Sequence, residues 1–460
     1  MAEIEQSSRT QVENPGAYYT QDYSLETLNF LTASGQKFEM KKILIELSYY
    51  EDIYSFVVSG YVKIIDAQGF IELLQLNGNQ FVEISFGKMK NAPNQNKQIF
   101  RVYKIDDRKP LAGNMTAQHY TLHFCSEELI LSEQTKISKA YNGQKISAII
   151  KDVLVEKLKV KTKNIATIEE TTGMYDFIVP RFKPFETISW LSNYARPNMT
   201  GSIGADMLFF ETKDGFYFRS LQSMFKQNIY TTYKYQAKNL DNKTMSFQEK
   251  AITVIDYEFV KTYDMVDDIQ SGTFSNRLIS LDPMSRTAKT TDFNYTDYKK
   301  RAVSLNPGNV SNDLVNRLGL TQQQTPDAAF KVSTGNSFQS NAPYIKQIPG
   351  SVAKDIAVET YIPNRTAQIA LANYTVLKIR IPGDSGITAG RTINFNLLSL
   401  KPSDKRKLDE FYSGKYLVTA VRHVIQPTVY QTFLEIAKDS TPKNYNSNVN
   451  TSEMKKAAAD

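Results

Sequence analysis

Tyr54-Ser55-Phe56-Val57-Val58-Ser59-Gly60-Tyr61-Val62-Lys63-Ile64-Ile65 is the stretch that decides the fold class. Phe56, Val58, Gly60, Val62 and Ile64 share one parity, while Ser55, Ser59 and Lys63 fall on the other. Successive side chains of a strand point to opposite faces, so this alternation predicts a strand with one face buried. Working outward, Val82, Ile84 and Phe86 repeat the pattern, as do Tyr120, Leu122 and Phe124. Turn residues fill the gaps, at Asp66 to Gly69 and Asn77 to Asn79. From Ser24 to about Ser126 the spacing is that of a small β-barrel or sandwich.

Beyond Tyr141 the period changes. After Asn142-Gly143, the residues Ile146, Ile149, Ile150, Val153, Leu154 and Leu158 recur three or four apart and trace one helix face. A second helix is predicted from Pro184 to Ala195, with Pro184 suited to a first helical position and Pro197 beyond the end. Met207 to Phe210 and Phe216 to Arg219 flank Asp214-Gly215, a strong hairpin signal. Alternation resumes at Ala251 to Val260, and Thr273 to Leu281 leads into a turn at Asp282-Pro283. Four further strands are predicted at Tyr374 to Ile381, Thr392 to Leu397, Lys415 to Ile425 and Val429 to Lys438.

The expected fold class is therefore mainly β with an α+β insert, in several domains. Residues 23–135 form a first barrel, 136–245 a small α+β domain, and 246–298 with 374–440 a second barrel. Residues 299–373, rich in Gln, Asn, Ser, Thr and Pro, form an extended insertion with a short helix. Residues 1–22 and 441–460 are polar and poorly patterned and read as flexible arms.

Composition narrows the function. A chain of 460 residues exceeds one compact core, consistent with modular construction. Its 27 Tyr and 25 Phe supply rings that serve both β-rich cores and contact surfaces. The net charge of +7 is spread thinly, without the one-sided basic face that phosphate binding demands. Cys125 is the sole cysteine, which excludes an internal disulfide framework and a multi-cysteine zinc site. Met1 to Gln21 lacks the basic start and apolar centre of a secretory signal, and no apolar run approaches the roughly 20 residues that span a bilayer, so no membrane insertion is expected.

Chemical constellations are scarce. Three His are a poor supply for acid–base work. His119, His123 and Cys125 share a parity, but on a strand the two His stand roughly 13 Å apart, too far to ligate one zinc ion. Gly383-Asp384-Ser385-Gly386 matches the string around a trypsin-like nucleophile, yet Pro382, Gly386 and Gly390 mark it as a connection between strands. Glu169-Glu170 and Asp267-Asp268 are adjacent acids, and no phosphate-cradling or dinucleotide motif occurs. Trp190 falls within an apolar helix stripe and reads as core. No catalytic residue, cofactor-binding residue or metal ligand is expected.

Longer strings carry a resemblance. Tyr50-Glu51-Asp52-Ile53-Tyr54, Val58-Ser59-Gly60-Tyr61-Val62, Gly69-Phe70-Ile71-Glu72 and Gly78-Asn79-Gln80-Phe81-Val82-Glu83-Ile84 resemble the first barrel of the baseplate hub (tail hub) proteins of contractile-tailed bacteriophages. Val102 to Arg108, Lys183 to Ile188, Phe210 to Phe216 and Phe274 to Leu278 follow in the same order, and Ser413 to His423 is similar to that family's last hairpin. The resemblance implies a homotrimer with two tail-hub-type barrels per chain, a ring of six joining the six-fold tail tube protein to a central spike protein. It implies a bore for the tape-measure protein and, as transit cargo only, DNA. Neighbouring baseplate proteins would be further partners, and the location would be the virion tail baseplate, after synthesis in the host bacterial cytoplasm. Within that frame, Tyr61, Lys63, Arg422 and His423, with the polar stretch around Asn336 to Lys346, are the expected interface residues. A hub of a phage-derived contractile injection particle, or a tail-associated cell-wall hydrolase, are the alternatives.

Overall fold

The computed structural model describes residues 24–32, 35–73, 76–87, 96–111, 114–201, 203–235, 247–282, 286–308, 330–334, 361–400 and 407–443. The arm expected at 1–22, the stretch Asn336 to Lys346, and residues 444–460 lie outside the described residues.

Seven strands make the first β unit: β1 Ser24–Leu31, β2 Lys37–Glu39, β3 Leu44–Asp52, β4 Ser59–Asp66, β5 Phe81–Gly87, β6 Asn96–Leu111 and β7 Asn114–Cys125. They are hydrogen-bonded in the order β3-β4-β7-β6-β5-β1-β2. The inward parity read from sequence is the buried one: Val62, Ile64, Val82, Ile84, Phe86, Tyr120, Leu122 and Phe124 share one core. The deciding strand begins at Ser59, later than the alternation suggests. Residues 53–57 form a turn, and Phe56 stacks on Phe185 with ring centroids 5.2 Å apart, so its apolar character serves the neighbouring unit. Gly60 lets β4 lie flat against its neighbours, since a Cβ there would stand 2.2 Å from the Ser48 carbonyl oxygen and 2.4 Å from Phe124 Cζ.

The α+β unit contains β8 Ile137–Gln144, β9 Ile165–Ile168, β10 Tyr175–Phe182, β11 Met207–Thr212 and β12 Gly215–Ser220. Helices Ile146–Asp152 and Pro184–Ser192 bury Ile146, Ile149, Ile150, Ile188 and Leu191 in one core, and the first runs on as a π-helical turn at Val153–Lys157. The Asp214-Gly215 hairpin forms as predicted, with Thr212 opposite Gly215. Gly215 has φ of 118°, a conformation that disfavours any side chain.

The second β unit takes β13 Ile229–Tyr235, β14 Thr253–Val254 and β15 Asp256–Lys261. A separate sheet follows, β16 Ser275–Asp282, β17 Thr287–Asn294 and β18 Phe330–Thr334, before the chain returns with β19 Thr375–Pro382, β20 Thr392–Asn396, β21 Gly414–Gln426 and β22 Val429–Lys438. Pairing runs β14-β13-β20-β21-β22-β19-β15. The adjacent β14 and β15 pair with β13 and β19 respectively, so one extended segment draws the two ends of that order together.

Three expectations about boundaries change. Ile229–Tyr235, placed within 136–245, pairs with β20 and belongs to the second β unit. Ser275–Asp282 and Thr287–Asn294, placed in the second barrel, pair with each other and with β18. Their core includes Phe293, Tyr295 and Tyr298, packed with Ala367 and Leu371 of helix Ile362–Ala372, which gives the 299–373 region a packed element. Most consequentially, the β21–β22 hairpin is not confined to the second unit. Gly414 to Leu417 pair with β20, whereas Ala420 to Ile425 pair with Asp52 to Leu47 of β3. Ile425 and Tyr430 from its tip lie in the first unit's core. Among the described residues, no helix is long and apolar enough to cross a membrane.

Candidate assembly interface

The shared ladder of β21, β3, β4 and β7 has an outward face. Arg422 stands opposite Tyr50, Ser48 opposite Tyr61, and Tyr61 opposite His123. On this face the Glu46 carboxylate accepts from the Tyr61 hydroxyl at 2.6 Å, Ser48 Oγ at 3.1 Å and Gln426 Nε2 at 3.1 Å. Arg422 Nη2 donates to Glu46 at 3.2 Å and to the Tyr61 hydroxyl at 3.1 Å. Burial alone would push the Glu46 pKa upward, but the hydrogen bonds from Tyr61, Gln426 and Ser48 and the Arg422 charge prevail and hold it below the ordinary value. The Arg422 guanidinium also lies 5.5 Å from the Tyr50 ring centroid and 5.7 Å from that of Phe433, so rings and charge form one surface.

Lys63 extends the surface, pairing with Asp107 at 3.0 Å. Asp107 occupies a bulge of β6 at φ of 49°, and hydrogen bonds from Lys109 and Lys63 push its pKa down to about 2. The His123 ring sits 6.0 Å from that of Tyr61 and 6.2 Å from that of Tyr103. Tyr61, Lys63 and Arg422 thus share a half-exposed face of aromatic rings and buttressed charges.

His423 does not join them. It follows Arg422 on one strand and so points to the other face, where it is fully buried. Its Nδ1 lies 2.9 Å from the Tyr430 hydroxyl, and its ring packs against Tyr49 and Phe86. Burial, aided by the Lys213 charge, lowers its pKa to about 3. Adjacent residues of a strand face opposite ways, so His423 does not share the outward parity expected for it alongside Arg422.

Sequence reasoning missed a polar junction where the three units meet. Glu51, fully buried at the end of β3, accepts from the backbone N–H of Lys213 at 2.8 Å and of Ala389 at 3.0 Å. One carboxylate therefore ties the first β unit to the α+β hairpin and to the loop between β19 and β20. Burial raises its pKa to about 7 against the opposing pull of those backbone bonds. Glu211 repeats the device, accepting from Val58 N–H at 2.8 Å and from the Ser126 hydroxyl, and burial raises it to about 8. Asp384 anchors the same loop, taking the Tyr233 hydroxyl at 3.0 Å and the Gly386 N–H at 2.9 Å, and Ser385 is buried within it. The only signal in sequence was parity: Glu51 shares the inward phase of Leu47 and Tyr49. Trp190 lies against the rings of Phe177 and Phe182 at 5.2 and 5.8 Å.

No protein-family model matches the chain. A curated relative, the "Probable baseplate hub protein gp334" of Vibrio phage KVP40, is 23% identical over 393 residues, covering 84% of this chain and 87% of that protein. The tail protein from Neisseria meningitidis MC58 is similar in structure, with a TM-score of 0.51 and 10% identity, over 92% of this chain and 100% of that one. The 43 kDa tail protein of prophage MuSo2 from Shewanella oneidensis is similar with a TM-score of 0.52 and 7% identity, over 90% and 98%. The chain is thus similar in sequence to a probable phage baseplate hub protein, and its mainly β fold is similar to that of phage tail proteins.

Proposed function

We propose that this chain is the structural hub of a contractile phage tail baseplate: a homotrimer whose paired β units form a pseudo-six-fold ring between tail tube and central spike. The tape-measure protein and DNA would pass through its bore, and the chain itself would catalyse nothing. The observation that carries this reading is the β21–β22 hairpin, whose base pairs with β20 and whose tip pairs with β3. A hydrogen-bonded ladder common to both β units holds them at one fixed angle, which a protein that sets other subunits in register requires. The face bearing Tyr61, Lys63 and Arg422 supports the reading further, because it is rich in rings and lies across that ladder. Closed rings bury such faces pairwise and leave none to polymerise.

Native mass measurement of the full chain, alone and mixed with tube and spike proteins, tests it. Three copies per complex are expected, and Tyr61→Glu should lower the trimer fraction while the variant remains folded. A single copy bound to both partners would refute the ring. A zone of clearing on a peptidoglycan zymogram would refute the non-catalytic role and favour a cell-wall hydrolase.

A further inference from the structure

Glu211 lies near the end of β11 in the α+β unit and reaches across a seam to the first β unit. Its Oε2 accepts from the Val58 N–H at 2.8 Å and from the Ser126 hydroxyl at 2.5 Å. Both donors use the same oxygen, which leaves Oε1 to carry a proton without breaking either bond. Apolar contacts frame the seam, with Phe56 stacked on Phe185 and 6.4 Å from the ring of Phe209.

A charged carboxylate here would have acidic company. Helix Glu127–Gln134 brings half-buried Glu128, and β3 brings buried Glu51. Among the described residues, no ion pair reaches Glu51, Glu128 or Glu211. Neighbouring cations are engaged elsewhere: Lys213 gives its Nζ to the Ser385 carbonyl, and Arg101 lies 3.9 Å from Glu127. The other titratable neighbours, the Tyr49 hydroxyl and the Cys125 thiol, are kept neutral mainly by burial. An unpaired charge in a dry seam is costly, and a buried acid without a counter-ion keeps its proton instead. Burial first, and then the charge of Glu128, raise the Glu211 pKa to about 8.

We infer that this seam is a proton-operated latch, in which the α+β unit stays docked on the first β unit while Glu211 holds its proton and loosens when the proton is lost. In an open seam, water returns the carboxyl to its ordinary value of 4.5. The stabilisation is therefore complete below about 4.5 and is lost as pH rises through about 8. Between pH 6 and pH 8 each pH unit favours the open seam about tenfold, and above that the effect levels off.

Cys125 is the sole cysteine and is buried one residue before Ser126, so it reports opening without an added probe. The full chain is treated with an aromatic disulfide reagent at low urea, from pH 6 to pH 9.5. Each labelling rate is divided by that of the urea-unfolded chain at the same pH, which removes the ionisation of the free thiol. The normalised rate should rise roughly thirtyfold or more between pH 6 and pH 8 and then level off. In Glu211→Gln, whose amide oxygen keeps both hydrogen bonds, that rise should shrink about tenfold or more, the remainder belonging to Glu51. Glu128→Gln removes the neighbouring charge and should bring the levelling-off to a lower pH. It also carries the comparison should Glu211→Gln fail to fold. An equal rise in wild type and Glu211→Gln, or an unmoved levelling point in Glu128→Gln, would overturn the latch. So would labelling that depends on urea as steeply as global unfolding does, because a local opening exposes far less surface.

Discussion

Replacing Glu51 with Gln tests whether burial or hydrogen bonding governs the three-way junction. The carboxylate accepts from Lys213 N–H and Ala389 N–H, one on each oxygen, and both donors belong to other units. Glutamine keeps one acceptor and turns an NH₂ group toward the other donor, leaving a buried N–H unmet at a cost of about 1–3 kcal/mol. The pH dependence then separates the two forces. The Glu51 pKa stands raised from 4.5 to about 7, with burial the largest cause. A carboxyl whose folded pKa exceeds its unfolded value stabilises fully below the unfolded pKa and loses that stability as pH rises through the folded one. The contribution from Glu51 is therefore present below about 4.5 and gone above about 7, and the shift corresponds to roughly 3 kcal/mol. Urea unfolding of wild type and Glu51→Gln at pH 5 and pH 8 isolates this term, because the opposing titration of buried His423 and of Lys438 is common to both proteins. The wild type should lead by about 1–3 kcal/mol at pH 5, and the lead should shrink or vanish by pH 8. A lead that widens with pH would mean that the two N–H donors stabilise the anion more than burial penalises it, and would refute the reasoning.

Gly60→Ala should destabilise the first β unit by at least about 1–3 kcal/mol, because the new methyl meets a backbone oxygen at 2.2 Å that cannot move aside, and a denaturation midpoint equal to wild type would contradict this packing. Arg422→Gln should cost the isolated chain only about 0.2–1 kcal/mol, since Arg422 and Glu46 form a partly solvated pair with side chains 38% and 21% exposed. Its larger effect should fall on assembly, read by native mass at low and high salt, and equal trimer fractions for the variant and wild type would remove Arg422 from the interface.

Many of the β and helical elements were legible in the sequence because each carries its own period, whereas Ile137–Gln144, buried only at Ile137 and Tyr141, carries none. Val62 and Ile64 announce a strand, Ile146, Ile149 and Ile150 a helix, and Asp214-Gly215 a turn, and each is settled within a dozen residues. What stayed hidden depends on pairing across long separations. Nothing local to Ala420 says that it will meet Asp52 rather than another strand of its own neighbourhood, and the register is set only when Ile425 and Tyr430 find the first unit's core. The same blindness explains the candidate site. Parity is a property of one strand, so Tyr61 and Arg422 could be placed on outward faces, and strict alternation already forbade His423 from sharing that face with Arg422. Yet that Tyr61 and Arg422 meet over Glu46, 361 residues apart in sequence, follows only from β3 lying between β21 and β4. Glu51 shows the converse. An acid on an inward parity looks like a defect until its two N–H donors, 162 and 338 residues away, are in place. Buried carboxylates at inward strand positions are for that reason better treated as markers of a junction than as errors of phase, and in this chain Glu51 and Glu211 both mark the seams between units.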